Sequence, residues 1–179
     1  MENFVLTPFT PLAALDGITL AGQVQHQGLQ LDLCYRLGGD LGRLQLPPAA
    51  QQPERQDYLW QQTCLEFFLA PQGQAHYWEF NLSPAGHWNC YRFEQYRQGM
   101  APEVAYGALP FQVEYQPEQL TLHLRLDLSP MLTGPEILEM GITAVLAAKA
   151  GDLSYWALTH PGPVADFHRR ESFCLALAP

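Results

Sequence analysis

Positive charge is scarce in this 179-residue chain: nine Lys and Arg stand against eighteen Asp and Glu, Lys149 is the only lysine, and the formal charge is −9. Phosphate backbones and anionic lipid surfaces repel such a chain, so neither nucleic acid nor membrane is an expected partner. Cysteine is sparse as well. Cys34, Cys64, Cys90 and Cys174 are widely spaced, form no CxxC pair and have no histidine at zinc-site spacing, so they read as reduced, small buried apolar residues. Long apolar runs are missing: the opening MENFVLTPFTPLAALDG has no basic start and is interrupted by Pro8 and Pro11. That argues against a signal peptide and a membrane span, and makes the expected location cytoplasmic. Helical periodicity is the last absence, since no window keeps apolar residues at i, i+3, i+4 and i+7 without a Pro or Gly breaking it.

What remains is an ordinary globular composition, 47% hydrophobic and 12% aromatic, with no repeat, low-complexity tract or linker, so residues 1–179 are expected to form a single domain around one core. Period-two alternation dominates. Leu29, Leu31 and Leu33 alternate with other residues, Leu65, Phe67 and Leu69 do the same, and Leu120, Leu122, Leu124, Leu126 and Leu128 give the cleanest run. Strands are expected at Gly17–Gln25, Gly28–Leu37, Thr63–Ala70, His76–Ser83, Trp88–Phe93, Phe111–Tyr115, Gln119–Asp127, Glu139–Lys149, Leu153–Leu158 and Ser172–Leu177. Their connections, such as Ser83-Pro84-Ala85-Gly86, are too short for the crossovers that parallel strands require, so the fold reads as an all-β antiparallel sandwich or barrel. Gly38–Gln56 and Gln95–Pro110 read as long loops.

Alternation also sorts the residues that can carry chemistry. In Tyr77–Ser83 it sets Tyr77, Glu79, Asn81 and Ser83 on one face and Trp78, Phe80 and Leu82 on the other. Glu79 and Asn81 can then grip neighbouring hydroxyls of a ligand, or simply face solvent. Glu66 lies in Thr63-Cys64-Leu65-Glu66-Phe67-Phe68-Leu69, where apolar residues fill both faces. A carboxyl there needs partners, either a ligand or a structural bond to Arg92, Arg97 or a loop amide. Trp60 and Trp156 are candidates to present a ring face to a ligand, whereas Trp78 reads as packing. The segment Thr159–Arg170 gathers His160, Asp166 and His168, the best metal or acid–base candidates, with a capped surface turn as the alternative.

The run Leu59–Leu69, followed by Tyr77–Trp88 and then by Ser154–Leu158 and Asp166–His168, resembles the DOMON-like superfamily, which includes family 9 carbohydrate-binding modules. The likeness is nearest to an uncharacterised bacterial DOMON-like group and spans most of Trp60 to Phe173. It implies a two-sheet, immunoglobulin-like β-sandwich whose members bind sugars or haem. Trp60 and Glu66 resemble the family's first tryptophan and the glutamate six residues on, Asn81 its strand asparagine, and Trp156 its second tryptophan. Glu79 departs from the pattern, because the sugar-binding modules carry a basic residue there.

Three functions are therefore weighed. The first is a non-catalytic domain binding a carbohydrate or sugar-containing metabolite through Trp60, Glu66, Glu79, Asn81 and Trp156, with no cofactor. The resemblance also implies haem as an alternative, with Met100 and His160 or His168 as axial candidates. The third is an enzyme using Glu66, Asp166 and His168 as acid–base groups, although no nucleophile elbow or metal motif accompanies them.

Overall fold

In the computed structural model, which describes residues 1–134 and 136–178, the regular elements are twelve β-strands and four short 3-10 turns. The strands are β1 (Glu2–Pro8), β2 (Thr19–Gln27), β3 (Gln30–Gly38), β4 (Cys64–Pro71), β5 (Tyr77–Leu82), β6 (Trp88–Phe93), β7 (Ala101–Pro102), β8 (Phe111–Gln116), β9 (Gln119–Asp127), β10 (Leu138–Ala147), β11 (Leu153–Ala157) and β12 (Leu175–Leu177). Ten of them fall where alternation places them. Every pairing between them is antiparallel, in the order β7-β6-β5-β4-β10-β11-β1-β2-β3-β9-β8, with β12 added to β10. No helix is long and apolar enough to cross a membrane among the described residues.

The sheet curls because β1 serves two neighbours: Glu2–Leu6 pair with β2, while Thr7 and Pro8 pair with β11. Alternation overlooks β1 because Val5 is 66% exposed, so apolar side chains point to both faces there. At Gly22 β2 tolerates no side chain, since an added Cβ would lie 2.0 Å from the Cys34 carbonyl oxygen and 2.4 Å from the Phe4 ring. The curl encloses the main core. Leu31, Leu33, Leu120, Leu122, Leu124 and Leu126 on one half meet Leu65, Phe67, Phe80, Ile142 and Ala144 on the other. Phe67 and Phe80 stack at 4.4 Å within it. Across the core, the Tyr35 hydroxyl on β3 donates to the Glu66 backbone carbonyl on β4 at 2.5 Å, pinning β4 at the residue whose side chain points the other way.

β4 and β5 are buried along their whole lengths, so both their faces are covered. The inner face packs on the main core. The outer face carries a second cluster of Phe68, Ala70, Tyr77, Tyr91, Phe93 and Phe173, with Trp60 and Phe167 packed against it. Phe167, His168 and Phe173 of the C-terminal segment lie over that outer face, and the Ser172 hydroxyl holds the segment's turn through the carbonyls of Phe167 and Arg169.

The two proline- and glycine-rich stretches are ordered by one side chain. Arg55 donates to Asn89 Oδ1 (2.8 Å) and to the carbonyls of Cys90 (3.2 Å), Glu103 (2.8 Å) and Tyr106 (2.8 Å), and its guanidinium lies 4.2 Å from the Trp88 ring centroid. It thereby fastens both loops to β6. The cysteines are free, and the expectation that all four are buried holds for Cys64 and Cys90 but not for half-buried Cys34 or exposed Cys174.

Candidate functional site

A cleft of about 450 Å³ opens on the outer face, floored by β4, β5, β10 and β11 and walled by the loops around residues 60, 97 and 166. Its position follows from alternation. Leu65, Phe67, Phe80 and Ala144 turn inward, so Glu66, Phe68, Glu79 and Val145 are left to face outward or toward the loops. Trp60 enters from a 3-10 turn that follows Tyr58, whose φ of 62° bends the chain. That bend answers a geometric difficulty, because six extended residues span about 20 Å. Both Trp60 and Glu66 line the cleft. Trp60 is held edge-on between Tyr58 (5.5 Å) and Tyr91 (5.8 Å), and the Tyr91 hydroxyl donates to Asp57 Oδ1 at 2.5 Å.

The floor is a pair of buried carboxyls. In the β4–β5 register Glu66 faces Asn81 and Phe68 faces Glu79, so the two glutamates are diagonal neighbours on one face. Glu66 is 2% exposed, and its Oε1 has no hydrogen-bond partner. The expected bond to Arg92, Arg97 or a loop amide is not formed. Thr143, its register partner on β10, also has an unpartnered hydroxyl. Glu79 Oε1 accepts from Asn81 Nδ2 at 2.9 Å, and Asn81 Oδ1 accepts the Cys64 thiol at 3.7 Å. Asn81 is therefore fully buried beneath the glutamates, supporting Glu79 from below.

Burial and then the Glu79 charge push the Glu66 carboxyl well above the usual carboxylate range. Burial likewise pushes Glu79 up to about 7, opposed by the Asn81 hydrogen bond and the Arg97 charge. His168 sits beside them. Its ring is boxed by Phe68 (5.2 Å) and Phe93 (5.0 Å), and its Nδ1 bonds the Tyr77 hydroxyl at 2.9 Å. Burial, reinforced by Arg97, pulls His168 down to about 4, so its 3.7 Å approach to Glu79 Oε2 is not an ion pair at neutral pH. Tyr77 also accepts the Arg97 backbone N–H at 3.1 Å, and burial raises its hydroxyl to about 12.

The rim is fixed by Asp166. Arg97 donates to its Oδ1 through Nη2 (2.8 Å) and Nε (3.3 Å), Tyr96 donates to its Oδ2 at 2.6 Å, and the His168 N–H adds a bond to Oδ1 at 3.2 Å. Burial alone would raise the Asp166 carboxyl, but the hydrogen bonds from Tyr96 and Arg97 hold it below its ordinary value. Asp166 is thus charged and fully engaged.

Of the residues singled out in the sequence, the structure gathers Trp60, Glu66, Glu79, Met100, Asp166 and His168 into this cleft, with Asn81 beneath it. Two lie elsewhere. Trp156 turns to the core side of β11, 6% exposed, with its indole N–H donating to Ser154 Oγ at 2.9 Å. His160 packs on Phe9 and bonds the Thr7 carbonyl at 2.9 Å. Tyr155, next to Trp156, is the β11 residue in the cleft, and it meets Phe167 edge to face at 6.1 Å. Phe68, Phe93 and Arg97 complete the lining. Phe68 and Tyr155 were within reach of alternation, two residues from Glu66 and one from Trp156; Arg97, expected only as a possible partner of Glu66, instead pairs with Asp166 from a backbone with φ of 53°. No cluster of three or more His, Cys, Asp or Glu able to hold a metal exists among the described residues.

No protein-family model and no curated protein matches this chain. Solved structures do. A candidate carbohydrate-binding protein from Bacteroides uniformis superposes with a TM-score of 0.65 at 14% identity, over 98% of this chain and 86% of that one. A family 9 carbohydrate-binding module from Caldicellulosiruptor kristjanssonii superposes with TM-scores of 0.53 in its cellotriose complex and 0.55 in its glucose complex. Those two matches are 12% identical and cover 90% and 96% of this chain, and 74% and 79% of the module. At such identities the likeness is one of fold.

Proposed function

We propose that this chain is a non-catalytic binding domain and that its outer cleft takes a carbohydrate or a sugar-containing metabolite. The observation that carries the reading is the meeting, in one open cleft of about 450 Å³, of aromatic side chains with a few convergent polar groups. Trp60, Tyr155 and Phe167 offer ring faces to sugar C–H groups, while Glu66 and Glu79 offer hydrogen bonds to hydroxyls. Tyr155 and Phe167 fill the role that the DOMON-like resemblance suggests for Trp156. The sugars bound by the family 9 module support the same direction, although a shared fold alone does not carry function. On this proposal the curled sheet is an immunoglobulin-like two-sheet sandwich, which the Tyr35 hydrogen bond across the core supports.

Titration calorimetry with glucose, cellotriose and other mono- and disaccharides tests it. At least one is expected to bind, and Trp60→Ala, at a half-buried position, is expected to weaken that binding by about tenfold or more with little change in melting temperature. Affinity unchanged in Trp60→Ala would remove the cleft from consideration.

Haem binding is the rival reading, and one observation favours it: Met100 and His168 line the same cleft. Against it, His168 has Nδ1 committed to Tyr77 and Nε2 turned to Glu79. A Soret band on adding haemin would transfer the cleft to that ligand.

A further inference from the structure

Charge in the cleft is unbalanced. Glu66, Glu79 and Asp166 line it against one guanidinium, Arg97, which is already paired with Asp166 at 2.8 Å. Glu79 contacts the neutral His168 and the amide of Asn81 without forming an ion pair, and Glu66 has no ion-pair partner among the described residues. The other groups packed around the two glutamates, Cys64 on β4, Asn81 on β5 and Thr143 on β10, bring no positive charge.

The Glu66 Oε1 is the more telling feature. Buried oxygens in folded proteins are almost always hydrogen-bonded, yet this one is bare in a residue 2% exposed that lines the cleft. A donor brought by a ligand would satisfy it. Aromatic rings stand around the same space, with Phe68 and Phe93 at the floor and Trp60 and Phe167 at the walls. Carboxyls and ring faces both attract a cation, whereas a hydroxyl answers only the hydrogen bond.

We propose that the cleft is built for an amine-bearing ligand, an amino sugar on the carbohydrate reading above, with its ammonium group received by Glu66 and Glu79. The inference rests on that reading and narrows it. An ammonium has three donors, enough for the bare Glu66 Oε1, for Glu79 Oε2 and for a further oxygen such as the unpartnered Thr143 hydroxyl. Without a bound cation two neighbouring buried carboxyls cannot both be charged, so at least one retains its proton. An arriving ammonium replaces that stabilisation, and a carboxyl proton leaves to the buffer.

The test is calorimetry on the intact chain at pH 6.5, comparing glucose with glucosamine, galactose with galactosamine, and each amino sugar with its N-acetyl form. An amino sugar is expected to bind about tenfold or more tightly than its parent hexose, with the N-acetyl form falling back to the hexose level. Repeating the titration in two buffers of different ionisation enthalpy is expected to show roughly one proton released per complex. Glu66→Gln and Glu79→Gln are expected to shrink the amine preference to within about threefold of unity. Should either variant fail to fold, the wild-type preference and proton release decide alone. A hexose binding as well as its amino sugar, or a preference that survives in both variants, overturns the inference and leaves the carbohydrate reading standing. Failure of every saccharide to bind overturns both.

Discussion

Leu124→Ala is expected to destabilise the protein by about 2–5 kcal/mol, the range for a core leucine truncated to alanine. Leu124 has no exposed surface and sits in the middle of β9, opposite Leu33 on β3 and Phe111 on β8. It belongs to a face on which Leu120, Leu122, Leu126 and Leu128 are also buried, so neighbouring side chains are too constrained to collapse into the void. In a chain of this size each kcal/mol lowers the melting temperature by roughly 2–4 °C, giving a drop of about 4–20 °C. Arg125→Ala is the control one position along, where the side chain is 72% exposed and its 3.7 Å approach to Asp32 adds little. A Leu124→Ala loss below about 0.5 kcal/mol, typical of surface sites, would mean that β9 does not face the core as described.

The second large effect is a dependence of stability on pH. Glu66 and Glu79 have folded pKa values raised above the ordinary carboxylate value, so the folded state binds more protons than the unfolded one. Their contribution is complete below about pH 4.5 and is lost as pH climbs through the folded values, about 7 for Glu79. His168 works in the opposite direction. Its folded pKa of about 4 lies below the ordinary 6.5, so its contribution is present above pH 6.5 and is lost as pH falls toward 4. Between pH 6.5 and 8.5 the histidine's opposing slope fades and the carboxyls dominate, joined toward pH 8.5 by the buried thiols of Cys64 and Cys90, which burial raises and which act with the same sign. The melting temperature of the unliganded protein is expected to fall across that window, with a slope of up to about 1.4 kcal/mol per pH unit for each proton. Glu66→Gln keeps the shape and cannot ionise, so its profile should be flatter and its stability at pH 8.5 above that of the parent. A parent profile that is level or rising from pH 6.5 to 8.5, or an equal slope in Glu66→Gln, would show that the glutamates ionise freely.

Strand positions were legible because a half-buried antiparallel strand writes its two faces into alternate residues, as Leu120 to Leu128 does. The face of Glu66 and Glu79 was legible for the same reason. β1 escaped because Val5 is exposed among buried Phe4 and Leu6, and β7 because two residues carry no period. Trp156 illustrates a subtler failure: alternation fixes that Tyr155 and Trp156 point apart, but not which of them faces the core. That choice is made by the packing of β11 between β10 and β1. Asn81 was placed on the right face and at the wrong depth, since the C-terminal segment and the loop carrying Arg97 lie over that face and close what reads as an exposed strand. The Arg97–Asp166 pair joins positions 69 residues apart, a distance over which a single sequence holds no pattern.

A ligand is expected to sit in the outer cleft, and the two tryptophans test this together. Trp60 lines the cleft, and Trp156 lies on the core side of the sheet with its indole N–H bound to Ser154. In a proton–nitrogen NMR titration with the saccharide that gives the largest calorimetric heat, the Trp60 indole signal, assigned through Trp60→Phe, is expected to shift in proportion to saturation while the Trp156 indole signal stays in place. A shift confined to Trp156, or saturating binding with the Trp60 indole unmoved, would contradict the assignment of the site.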